Sequence, residues 1–223
     1  MTKINICGIS QVDHALAVAE AGADFMSLVF ATSKRRVSPD TAHQIVHALD
    51  GLKSCPLIVG VFVNTPVLEV NQLADSCGLD WIQLSGDESW EYCKQIQRPV
   101  IKVIRVTGTE DAERILTELS RGNRILGPEA FTCLLDSEVE GTYGGTGQSF
   151  DWKVAGKVAR QYPLILAGGL SPESVKQAIK TVRPWGVDVS SGVETDGIKD
   201  VSKIKAFVRA VRRADEKFKY TPR

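Results

Sequence analysis

Short runs of β-branched and aliphatic residues alternate with longer segments of helical periodicity along the whole chain. The apolar runs are 3–7, 24–30, 56–63, 80–84, 99–106, 131–136, 163–169 and 185–192. The segments between and after them repeat apolar residues at three- and four-residue spacing, over about 11–21, 39–49, 66 onward, 88–97, 110–119, 151–161, 171–182 and 200–214. Two helix starts carry explicit signals: Thr65 as a cap with Pro66 in the first turn, and Ser171-Pro172. Apolar strands covered by helices predict a parallel sheet buried on both faces. Eight β/α units in 223 residues predict an α/β fold, a single (β/α)8 TIM barrel. An open doubly wound sheet is the alternative; the count of eight and the lack of GxGxxG after the first strand disfavour it. The barrel is expected to be one catalytic domain over 1–215, with 216–223 a polar C-terminal tail that frays.

Composition narrows the partners. Lys+Arg and Asp+Glu are equal at 27 each, so charge gives no case for nucleic acid or a membrane surface. No apolar run reaches about 18 residues, and the polar start has no signal-peptide pattern, so a cytoplasmic protein is expected. The cysteines at 7, 55, 77, 93 and 133 are odd in number, scattered and without a CxxC pair, which speaks for a reducing compartment and against a disulfide frame or zinc. His43 and His47 have i,i+4 spacing, but Ala42, Ile45, Val46 and Leu49 form the apolar face of that helix. Both histidines should therefore point outward, and no metal site is expected.

In such a barrel the reactive groups lie at the C-terminal ends of the strands. Histidine is missing there, so proton transfer falls to a thiol, a carboxylate or a lysine. Cys7 and Asp136 are the titratable groups that end apolar strands, and alternation turns Asn5 and Cys7 toward the barrel axis. Each also has a plain structural reading, Cys7 as a small buried hydrophobe and Asp136 as a loop cap. A thiol with an ordinary pKa of about 8.5 needs only modest stabilisation to be partly ionised at pH 7. Gly168-Gly169 after strand seven and Ser190, Ser191 and Gly192 after strand eight offer backbone N–H groups and hydroxyls to a phosphate, where barrels often bind one. Gly145 joins them from GTYGGTGQSF, a connector or a lid. Gln83 and Asp188 are further rim candidates for substrate binding. In SKRRVSP, a solvated charge run on the plain reading, Arg35 or Arg36 could reach a substrate carboxylate, and the residues do not choose between them.

These stretches together resemble the phosphoribosylanthranilate isomerase family of tryptophan biosynthesis. The resemblance runs through KINICGIS, GADF, SKRRVSP, VGVFVN, IQLSGDE, LLDS, YGGTGQSFDW, LAGGLSPESV and RPWGVDVSSGVE, in that order. It implies Cys7 as general base, Asp136 as general acid, Arg35 as the holder of the anthranilate carboxylate, and the backbone at Gly168-Gly169 and Ser190 to Gly192 as the phosphate site. The implied reaction is an Amadori rearrangement of a phosphorylated small molecule, with no cofactor; a homodimer is left open. Three positions depart from the family pattern: Asn5 where lysine is common, Ser27 in place of a glycine, and Ser85 in place of a histidine. Asn5 and Ser85 keep in view a phosphosugar aldose–ketose isomerase with another aglycone, and because fold alone does not fix function a phosphate-binding barrel without catalysis is a further alternative. GNRILGPEA, at 122–130, has no counterpart in the resemblance.

Overall fold

The structure is a computed structural model that describes residues 1–106, 112–127, 130–137 and 151–218. Eight parallel strands close into a barrel in sequence order: β1 (Lys3–Cys7), β2 (Phe25–Val29), β3 (Leu57–Phe62), β4 (Trp81–Leu84), β5 (Val100–Val106), β6 (Phe131–Ser137), β7 (Leu164–Leu166) and β8 (Gly186–Val189). The closing pair sets Asn5 against Asp188 and Ile6 against Val189. The helices are α1 (Val12–Ala21), α2 (Pro39–Leu49), α3 (Val67–Ser76), α4 (Trp90–Cys93), α5 (Ala112–Leu126), α6 (Trp152–Val158), α7 (Val175–Val182) and α8 (Val201–Phe218). Between β8 and α8 lie one 3-10 turn, Ser191–Val193, and a small hairpin of β9 (Glu194–Thr195) and β10 (Ile198–Lys199).

The period-two alternation of the strands sorts side chains into two cores. Ile4 and Ile6 of β1 belong to the larger one, between strands and helices, together with Ile45 of α2 and Phe207 of α8. The barrel interior is filled by Phe25, Val59, Ile101, Val103, Leu134, Ile165 and Ala167, with Trp81 and Trp185 packed against them. That plug is a solid floor, so a ligand can be received only at a rim of the barrel.

Several helix bounds differ from expectation. Thr65 does not cap α3; Pro66 is the cap residue without a side-chain hydrogen bond, and the Thr65 hydroxyl turns back to the Val63 carbonyl. The helix expected over 88–97 is the single turn α4, which Ser89 caps by accepting from the Tyr92 N–H. Ser171-Pro172 begins a turn rather than a helix, with the Ser171 N–H donating to the Ser174 hydroxyl before α7 starts. The stretch without a counterpart is partly helical, because α5 runs on to Leu126. Gly122 permits this: a Cβ there would meet the Trp90 indole at 2.7 Å. The last helix, expected over about 200–214, is α8 and continues to Phe218, with Asp215 buried in it.

Asp215 joins the chain's two ends. Its carboxylate accepts from the Thr2 N–H at 2.8 Å and the Thr2 hydroxyl at 2.6 Å, and Thr2 is fully buried. Arg212 adds a hydrogen bond to the Thr2 carbonyl and an ion pair with Asp24. Asp215→Ala strands two buried donors, so it is expected to lower the unfolding free energy by about 3 kcal/mol. Urea denaturation measures this; a loss below about 1 kcal/mol would mean that water replaces the carboxylate.

Candidate active site

The strand ends carry their polar side chains into one cavity of about 270 Å³. Cys7 of β1, Gln83 of β4, Asp136 of β6 and Asp188 of β8 line it, together with Arg35, Ser85, Arg105 and Ser190. Its apolar wall comes from Val29, Val61, Val103 and Leu134. Cys7 and Asp136 therefore share a cavity, as the sequence suggested. The structure also separates the two arginines. Arg35 lines this cavity, whereas Arg36 lines a different groove with Phe30, Phe62 and Glu69. Gly8 turns the chain after Cys7 at φ +82°, and a Cβ there would lie 2.5 Å from the Arg35 Cδ. Glycine at this point lets the Arg35 stem cross the end of β1.

Desolvation sets the charge states. Burial pushes the Cys7 thiol far above its ordinary value and the Asp188 carboxylate adds to the push, while Lys199 and Arg35 pull the other way. This overturns the expectation that the thiol is close to ionisation at pH 7. The sequence could not show that the thiol is half-buried or that a second carboxylate sits nearby. Asp188 is itself raised to about 7 by burial and by Asp136, against the opposing effects of Asn5, Lys199 and Arg35. Because the thiolate is the nucleophile, iodoacetamide at pH 7.5 is expected to label the exposed Cys55 at least about tenfold faster than Cys7, read by peptide mass mapping. Equal rates would show that Cys7 is already ionised.

The phosphate candidates sit on adjoining loops. Gly168 and Gly169 follow β7 in left-handed conformations, at φ +86° and +64°. Gly192 lies against the Leu170 carbonyl so closely that no Cβ fits, which joins the loop after β8 to the loop after β7. Ser190 reaches the cavity, and its hydroxyl donates to the Cys7 carbonyl at 3.1 Å. Gly168, Gly169, Ser191 and Gly192 are not part of the cavity lining. Gly145 and the GTYGGTGQSF loop lie outside the described residues.

The family model described as N-(5'-phosphoribosyl)anthranilate (PRA) isomerase matches residues 4–210. The chain belongs to the phosphoribosylanthranilate isomerase family. An N-(5'-phosphoribosyl)anthranilate isomerase of Dehalococcoides mccartyi is 49% identical over 215 residues, covering 96% of this chain and 98% of the relative. Among solved structures, monomers generated from a dimeric phosphoribosylanthranilate isomerase of Thermotoga maritima superpose with a TM-score of 0.79 at 35% identity, over 96% of this chain and 100% of that one. A phosphoribosylanthranilate isomerase in complex with reduced 1-(o-carboxyphenylamino)-1-deoxyribulose 5-phosphate superposes at 0.77, also at 35% identity and with the same coverage.

Two of the three departures from the phosphoribosylanthranilate isomerase pattern touch each other. The Asn5 amide donates to the Ser27 hydroxyl at 2.7 Å and to Asp188 at 2.6 Å, and the Ser27 hydroxyl donates back to the Asn5 carbonyl oxygen at 3.0 Å. A neutral amide thus stands beside Asp188 where the pattern has a cation. Ser85, the third departure, accepts from the Gln83 amide at 3.1 Å, and its carbonyl accepts from Arg105. The Gln83 carbonyl oxygen is buried without a partner among the described residues. His43 and His47 are exposed, one hydrogen-bonded to the Ser76 carbonyl and the other paired with Asp50.

Sequence reasoning missed Glu194 and Lys199. Glu194 accepts from Arg35 at both oxygens, Nε at 2.7 Å and Nη2 at 2.9 Å, and from Lys199 Nζ at 2.6 Å. Burial alone would raise its pKa, but these two cations hold it down at about 2. Lys199 is pulled below the ordinary lysine value by burial, with Glu194 opposing. A signal was present in the sequence. Asp196-Gly197 is a two-residue turn between short paired strands, and both residues have positive φ. Asp-Gly is a strong hairpin marker, and this hairpin brings Glu194 and Lys199 together.

Proposed function

We propose that this chain catalyses the rearrangement of N-(5-phosphoribosyl)anthranilate to 1-(2-carboxyphenylamino)-1-deoxyribulose 5-phosphate, a step of tryptophan biosynthesis. The observation that carries the proposal is the shared cavity: Cys7 from β1 and Asp136 from β6 border one space, with Arg35 in its wall. Family membership supports the same reading.

Asp136 donates a proton to the ribose ring oxygen as the bond from that oxygen to C1 breaks, and the aniline nitrogen lone pair forms the C1–N iminium. Cys7 removes the proton on C2, and the electrons of that C–H bond give the enolamine. Protonation at C1 and loss of the C2 hydroxyl proton yield the ketone. Both bond-breaking steps are acid–base chemistry. The raised thiol fits this order: Cys7 is protonated in the free enzyme, and the iminium beside it favours the thiolate. Arg35 receives the anthranilate carboxylate, Gln83 and Asp188 face the sugar, and Gly168, Gly169, Ser190, Ser191, Gly192 and Gly145 hold the phosphate.

The test follows the fluorescence of phosphoribosylanthranilate on addition of purified protein in chelator-treated buffer. Consumption with formation of the carboxyphenylamino ketose supports the proposal. Stabilisation by the substrate without consumption would favour a binding barrel, and turnover only of phosphoribosylamines without the carboxylate would favour another aglycone. Among the described residues no helix is long and apolar enough to cross a membrane, and the five cysteines are free. These features support the cytoplasm as the site of action. Because the Thermotoga maritima relative is described as dimeric, sedimentation equilibrium will test whether this chain also forms a homodimer.

A further inference from the structure

We infer that Glu194 and Lys199 are positioning residues that aim Arg35 at the substrate carboxylate and fix its distance from the phosphate loop, so that they set selectivity for a carboxylated aglycone. The inference rests on the carboxylate-binding role proposed above for Arg35. Three observations support it.

The first is how the guanidinium is used. A guanidinium carries five N–H donors in a planar fork. Glu194 takes Nε and one hydrogen of Nη2. The structure gives the other three no acceptor among the described residues, although the side chain is only 12% exposed. Arg35 lines the cavity and Glu194 does not, so Glu194 grips the guanidinium from behind and leaves its far edge available to the cavity. That edge can take a second carboxylate in bidentate fashion.

The second is charge. Glu194 alone would neutralise Arg35 and weaken its pull on an anion. Lys199 shares the same carboxylate, with both side chains at most 5% exposed. Two cations around one anion leave the cluster with a net positive charge where water is scarce, and there it acts more strongly than at the surface.

The third is connection. Lys199 spends its donors on Glu194, on the Ser190 carbonyl at 3.0 Å and on the Ser190 hydroxyl at 3.3 Å. Ser190 in turn donates to the Cys7 carbonyl. One half-buried chain of contacts therefore runs from Arg35 through Glu194, Lys199 and Ser190 to the strand end that carries the thiol. With no donor left over, Lys199 serves as a clamp rather than as a ligand group.

The experiment compares kcat/KM for phosphoribosylanthranilate with that for N-(5-phosphoribosyl)aniline, which lacks the carboxylate, in the wild-type enzyme and in Glu194→Gln and Lys199→Gln. A glutamine at 194 has one oxygen and cannot serve both cations. The expected result is a fall of about 10- to 100-fold in the ratio of the two kcat/KM values, arising mainly in KM for the carboxylated substrate, as befits a lost charge-assisted contact. Glu194→Asp, which keeps the charge, should recover part of the ratio; it also serves should the glutamine variant fail to fold. An unchanged ratio, or an equal loss on both substrates, would overturn the inference. If wild-type enzyme shows no preference for the carboxylated substrate, the role of Arg35 itself fails and the inference falls with it.

Discussion

Asp136→Asn is expected to lower kcat for phosphoribosylanthranilate by about 10²-fold or more, the usual size of a general-acid contribution. The substitution keeps the shape of the side chain and its place at the end of β6 but removes its acidic proton. Ring opening then has to proceed without protonation of the leaving oxygen. Binding should change little, so KM is expected to stay within about threefold, the pattern of an interaction made mainly in the transition state. Asp136 lines the same cavity as Asp188 and raises its cost of ionisation, so the substitution should also let Asp188 ionise at lower pH than its present value of about 7. Steady-state kinetics checks the first effect and NMR titration of the Asp188 carboxyl the second. Near-normal turnover would remove Asp136 from the role of acid.

Cys7→Ala is expected to cost at least as much in kcat, because no other titratable group on β1 faces the cavity. Its pH dependence is a sharper test than the loss itself. The base must be deprotonated to act, and burial together with Asp188 raises the thiol. The rising limb of kcat/KM, which reports the free enzyme, should therefore continue on the alkaline side of the ordinary thiol value of about 8.5. Asp188→Asn removes a negative charge near the sulfur, so it should lower the thiol's pKa and move that limb to lower pH. A wild-type limb that levels off near pH 7 would show an ionised thiol in the free enzyme. A limb unmoved by Asp188→Asn would separate the two groups.

The barrel was legible because the strands are short, mostly apolar runs and the connections are helical, a pattern that survives errors of several residues at any one boundary. The errors have local causes. Gly122 looks like a loop residue until the Trp90 ring is seen to occupy the space of its missing side chain. Thr65-Pro66 carries the letters of a helix start, but the threonine hydroxyl is engaged by Val63 instead. For the site, the residues at strand ends followed from the fold, and Cys7, Gln83, Asp136, Asp188 and Ser190 do line one cavity. Arg35 and Arg36 are adjacent on a loop, where no periodicity separates them; the choice depends on the passage that Gly8 leaves across β1. The protonation of Cys7 is not legible in the sequence because burial, which only closure of the barrel creates, raises the thiol; β8 adds Asp188 to that push and β10 brings Lys199 against it. Glu194 and Lys199 were hidden for a related reason. Their significance is their contact with Arg35 and Ser190, which only closure of the barrel creates.

The central claim is that the β1 thiol and the β6 carboxyl bracket a single sugar. The most direct measurement is an experimental structure of this protein with reduced 1-(o-carboxyphenylamino)-1-deoxyribulose 5-phosphate, the ligand already seen with a relative. The Cys7 Sγ is expected near the sugar C2, the Asp136 carboxyl within hydrogen-bonding reach, about 2.6–3.2 Å, of the former ring oxygen, and the two on opposite sides of the chain between them. A ligand seated with either group out of reach, or with both on the same side, would contradict it.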